Sequence, residues 1–117
     1  MLTTLSISRS SNRWQPYAHG STLGKSGPEE GVVLLDEEHG EIARITLEEK
    51  AGTTRYAITC HIKGWIAHTH YSRTSQVAFR DYEMMKAELV TMEQLSVSDM
   101  SDMMLPLVMM SFVERYP

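Results

Sequence analysis

The chain has 117 residues, a formal net charge of −4, 42% hydrophobic and 22% charged residues, and one cysteine. This length suits one domain with one core, and the composition is that of a soluble globular protein. The acidic balance argues against broad phosphate-backbone binding, so no nucleic-acid partner is expected. A lone cysteine excludes an internal disulfide and fits a reducing, cytoplasmic setting. The N-terminus has no secretory pattern and no apolar run is long enough to cross a bilayer, so no membrane partner is expected either.

Residues 1–30 read as an irregular N-terminal segment, with a short strand at 2–8 in which Leu5 and Ile7 share a face. The segment is rich in Ser and Gly and contains Pro16 and Pro28, which breaks regular structure. Trp14 and Tyr17 stand out, because disordered arms seldom carry aromatics. They are expected to pin the segment to the sheet or to a partner.

Residues 31–117 read as a single α+β domain. Its first part, about 31–71, is a four-stranded antiparallel β-meander punctuated by His39-Gly40, Ala51-Gly52 and Lys63-Gly64. Two-residue hairpin loops need positive φ, which glycine supplies without steric cost. Counting outward from these loops pairs Leu34 with Ile45, Ile45 with Ile58, and Cys60 with Ala67. All three turns then place Val32, Leu34, Ala43, Ile45, Leu47, Tyr56, Ile58, Cys60, Ile62, Trp65, Ala67 and Tyr71 on one face. Arg44, Thr46, Glu48, Arg55, Thr59, His61, His68 and His70 fall on the other, as in a sheet with one wet face.

Ser72 to Ser75 supplies helix-capping residues. Beyond them Ala78, Tyr82, Met85, Leu89 and Met92 recur at spacings of four, three, four and three. This predicts a long amphipathic helix over about 75–95, with its stripe on the apolar sheet face. Asp99 or Asp102 can start a C-terminal helix over about 102–115, with Pro106 in its first turn. The run from Met103 to Val113 is apolar almost all round, more than one small core requires.

Three constellations could carry function. His61, His68 and His70 lie on one face in the counted register. Three imidazoles from neighbouring strands can hold a divalent metal and activate water. No carboxylate stands beside them, and their spacing matches no established metal motif. Cys60 falls on the core face, where a thiol is an apolar packing group rather than a nucleophile. Glu29, Glu30, Asp36, Glu37, Glu38 and Glu41 cluster near the first turn as an acidic surface for a basic partner. No phosphate-binding glycine loop is present.

The leading expectation is a non-catalytic binding protein, working as a homodimer or with a protein partner and requiring no cofactor. Its contact surface is drawn from the surplus apolar residues Met103, Met104, Leu107, Met110, Val33 and Leu35. Ile42 and Ile66 add to that surplus. One rival is a small metal-dependent, hydrolase-like enzyme using His61, His68 and His70. Another is a ligand-binding protein with an aromatic pocket between helix and sheet, lined by Tyr56, Trp65, Tyr71 and Tyr82.

Overall fold

A computed structural model of the protein describes residues 13–117, so the strand expected at 2–8 lies outside the described residues. The described chain forms strands β1 (Gln15–Pro16), β2 (Val32–His39), β3 (Ala43–Glu49), β4 (Tyr56–Ile62) and β5 (Ile66–Ser72). Helices α1 (Ser75–Ser96) and α2 (Ser101–Arg115) follow. The sheet order is β1-β2-β3-β4-β5, with every neighbouring pair antiparallel. The expected α+β meander is present, and the N-terminal segment adds a short fifth strand to it.

The turns differ from the two-residue loops read from the sequence, for a common reason. Primed hairpin turns need positive φ at the first loop residue. His39, Ala51 and Lys63 do not take it, whereas Gly40, Gly52 and Gly64 do. At the first turn the reversal slides one residue, to Gly40 (φ 61°) and Glu41 (φ 62°), and Ile42 becomes an extra residue before β3. His39 therefore pairs with Ala43 and Glu37 with Ile45. At the third turn Trp65 N–H donates to the Ile62 carbonyl, Trp65 is the extra residue, and Ile62 pairs with Ile66. At the second turn the strands close on Lys50 and Arg55, two residues longer, and Ile45 pairs with Cys60.

An even change in register keeps side chains on their face, and an odd change reverses them. β3 and β4 therefore keep the predicted inner set: Ala43, Ile45, Leu47, Tyr56, Ile58, Cys60 and Ile62 are all buried. The outer strands are reversed. On β5, His68 and His70 share the helix face with Cys60 and Ile58, while Ala67 and Tyr71 share the back face with His61 and Ala57. On β2, Glu37 and His39 face the helix and Asp36 and Glu38 face away. A bulge between Val33 and Leu35 then returns Val33 to the back face opposite Glu48, and leaves Val32 half exposed.

Helix α1 matches its sequence signal. Thr74 accepts the Val77 N–H as N-cap, and Ala78, Tyr82, Met85, Leu89 and Met92 are fully buried on β3 and β4. Helix α2 starts at Ser101 behind Met100, not at Asp99 or Asp102, and Ser98 Oγ accepts the Met100 N–H. Pro106 consequently sits in the second turn rather than the first, where it withholds one helical hydrogen bond. Helix α2 packs beside α1, and burial of Leu105 and Phe112 holds it there.

Candidate functional site

The three histidines of the metal expectation do not come together. His61 pairs with Ala67 and lies on the back face, whereas His68 and His70 lie under the C-terminal residues on the other side of the sheet. Reversal of β5 is the cause, since one added residue at Trp65 turned its alternate side chains over. His68 Nε2 donates to the Tyr116 carbonyl at 2.5 Å, and the His68 ring meets Phe112 edge-on. His70 Nδ1 is 3.0 Å from the Pro117 main-chain oxygen, and its Nε2 is 2.9 Å from Asp81 Oδ2. Both nitrogens of His70 are thus engaged in holding the chain terminus and α1 against β5. Among the described residues no three His, Cys, Asp or Glu side chains gather as metal ligands would.

His61 stands beside Arg44, in a shallow surface depression of about 330 Å³ that Tyr17 and Lys63 also line. Burial, and then the Arg44 charge, lower its pKa below the ordinary histidine value. The Arg44 guanidinium is already committed. It donates to both carboxylate oxygens of buried Asp36 and lies 3.5 Å over the Tyr17 ring. Thr46 and Thr22 hydroxyls complete the Asp36 shell.

The acidic cluster is likewise taken apart by the fold. Glu37 accepts from Lys86 and from the buried Tyr82 hydroxyl. Glu29 accepts from Tyr71. Asp36 is enclosed as described. Glu30 and Glu41 stay exposed, whereas Glu29, Asp36 and Glu37 are pinned side chains that tie the N-terminal segment and α1 to the sheet. Trp14 joins them, 5.2 Å from the His39 ring and 5.4 Å from Lys86 Nζ.

Two buried carboxylates were not singled out from the sequence. Glu48 is fully buried, and accepts from Gly31 N–H at 2.8 Å and from Glu29 N–H at 3.1 Å. A Cβ at Gly27 would sit 2.8 Å from that carboxylate, so the loop wraps it closely. Asp81, on the inner side of α1, binds His70 and Arg80. Glu48 has a faint signature in the sequence, a strand acid following a loop with Gly27 and Gly31. Asp81 has none, because an acid beside an apolar stripe looks like surface.

Burial pushes the Cys60 thiol up to about 12, so it stays protonated. The four aromatics of the pocket expectation do not converge. Tyr82 is in the core and Tyr56 nearly so, while Tyr71 is on the opposite face and 40% exposed.

The outer face of α2 is different. Met103, Leu107 and Met110 recur at spacings of four and three and are 69%, 62% and 63% exposed. With side chains of roughly 200 Å² each, these three leave about 400 Å² of apolar surface in one stripe. Met100, Met104 and Val97, also exposed, extend it to roughly 600 Å². No charged residue lies between Asp102 and Glu114. The other two residues of the expected contact surface do not belong to it. Val33 is buried, with its main chain bonded to that of Gly24 and Lys25, and Leu35 packs, partly buried, against the core.

No helix of the described residues is long and apolar enough to cross a membrane. Comparison with protein-family models, curated proteins and solved structures finds no match for this chain.

Proposed function

We propose that this is a non-catalytic binding protein that acts as a homodimer, with the outer face of α2 as its contact surface. The observation that carries this is the stripe Met103–Leu107–Met110. Three large apolar side chains, each more than three-fifths exposed, lie in helical register on a helix whose other face is used up by α1 and the sheet. A patch of this size is at the upper end of the largest apolar patch on a typical monomer, and such patches are often functional. Methionine suits the role, being flexible and polarisable enough to pack on an imperfect surface. Elsewhere the buried carboxylates Asp36, Glu48 and Asp81 are engaged in holding segments together.

Sedimentation velocity tests this on the full chain. A species of twice the chain mass is expected at micromolar concentration. Leu107→Glu, which places a charge mid-stripe without touching the core, is expected to weaken association at least a hundredfold. A wild-type monomer at high concentration would refute the homodimer.

A further inference from the structure

We propose that the two copies join edge to edge along β5, antiparallel and centred on Thr69, so that the two sheets become one. This rests on the homodimer proposed above and supplies its geometry. The sheet has two outer strands, and the fold treats them differently. The edge of β2 is covered at both ends. Gln15–Pro16 lies along Glu37–Glu38, and the 24–26 main chain bonds to Val33. β5 is terminal in the sheet order, and among the described residues no main-chain hydrogen bond reaches its outer side. It also lacks the usual protections of an exposed edge. Its sequence, IAHTHYS, holds no lysine, acid or proline, and its pairing with β4 is unbroken.

The direction of the free groups follows from two hydrogen bonds elsewhere. Arg55 carbonyl accepts from Lys50 N–H, and Lys63 N–H donates to the Ile42 carbonyl. Odd-numbered residues along β4 therefore bond towards β3, and even-numbered ones towards β5. The β5 partners of the even residues are Ile66, His68, His70 and Ser72. The main-chain groups of Ala67, Thr69 and Tyr71 must then point to the open edge.

That alternation selects the register. Two copies related by a two-fold axis at Thr69 pair Thr69 with itself and Ala67 with Tyr71. This arrangement uses all three outward residues on each copy, giving about six main-chain hydrogen bonds. A shift of the axis by one residue leaves some of them unpaired. The side chains agree with the centred register. On the back face the large Tyr71 meets the small Ala67, and Thr69 meets Thr69, a favourable cross-strand pair. No fixed charge is opposed to its like.

Helix α2 lies on the same side of the molecule. Its Phe112, and Tyr116 just beyond it, reach the His68 and His70 rings, on the β5 side of α1. Edge pairing therefore brings the apolar stripe into the same contact. The stripe and the strand edge together approach the roughly 800 Å² per partner of an ordinary stable interface.

The test is a cysteine at the axis. Cα atoms of a hydrogen-bonded antiparallel pair are about 5.5 Å apart, within disulfide reach. Native Cys60 is buried and does not compete. Under mild oxidation Thr69→Cys is expected to become mostly covalent dimer, while Thr53→Cys, on the exposed β3–β4 turn, is expected to stay monomeric. Hydrogen exchange on the unmodified protein gives a second readout. The amides of Ala67, Thr69 and Tyr71 are expected to slow at least tenfold as concentration passes through the dimerisation range. A dimer that Leu107→Glu dissociates, but in which Thr69→Cys does not cross-link and these amides stay fast, would overturn edge pairing and leave the α2 contact standing. Protection of these amides in a monomer would assign the edge to another part of the chain and overturn the proposal. A monomer with unprotected amides would overturn both.

Discussion

Glu48→Gln isolates the one fully buried carboxylate in the described fold that is held by main-chain N–H groups. Wild-type Glu48 uses both carboxylate oxygens: Oε1 accepts from Gly31 and Glu29 N–H, and Oε2 also accepts from Glu29 N–H. Glutamine keeps the shape but offers one acceptor oxygen, and turns an amide donor towards the Glu29 N–H. Two charge-assisted bonds become neutral ones and a third contact becomes repulsive. Hydrogen bonds to charged groups are worth about 1.5–3 kcal/mol and neutral ones about 1, so the loss is about 2–3 kcal/mol. For a chain this long 1 kcal/mol moves the midpoint by about 4 °C, giving a fall in Tm of roughly 8–12 °C. Glu48→Ala also strands the buried Gly31 N–H and leaves a void, and is expected to lose about 3–5 kcal/mol. Thermal and urea unfolding followed by circular dichroism measures both. The neighbouring Glu49→Gln is the control. Glu49 holds only a solvent-exposed pair with Arg55 and should change stability by less than about 1 kcal/mol. If Glu48→Gln cost no more than Glu49→Gln, the argument that this carboxylate fastens the 27–31 loop to β3 would be wrong.

Gly31→Ala should lose at least about 2 kcal/mol in urea unfolding, because the new Cβ would lie 2.6 Å from the Glu49 carbonyl oxygen in the sheet backbone. Cys60 should react with a thiol reagent at pH 8 only when the chain unfolds, so modification should track the urea transition; prompt labelling of native protein would contradict its burial. For His61 the folded pKa is lowered, so the unfolded chain binds the extra proton. Its contribution to stability is then present above the unfolded value, near 6.5, and lost as pH falls through the folded value. His61→Asn should therefore flatten the decline in Tm between pH 7 and 5, and an unchanged slope would count against the shift.

The exposure of the outer face of α2 was legible because it depends on helix periodicity. Met103, Met104, Leu107 and Met110 are exposed as a run with too few polar residues for its length suggests. Val33 lies on the back face as its place in the alternation implies, yet it is buried there; the 24–26 main chain that pairs with it comes from a loop that no local pattern links to β2. The histidines were misplaced by one residue of turn geometry. Their role in holding the C-terminus was invisible, because Tyr116 and Pro117 are 46 or more positions away from them and nothing local marks the pairing.

The four long strands and both helices are written in local pattern. Glycine at each reversal, alternation along β3 and β4, and a four-three stripe on α1 are local signals, and each is read within a few residues of where it acts. Which way β2 and β5 face is set instead by contacts between distant elements. A hairpin can absorb one extra residue at Ile42 or Trp65 at little energetic cost, yet that residue turns over every side chain on the strand beyond it. The choice is made by what the strand then meets. Asp36 finds Arg44 and Thr46, Glu37 finds Lys86 and Tyr82, and His70 finds Asp81, all of them partners supplied by other elements.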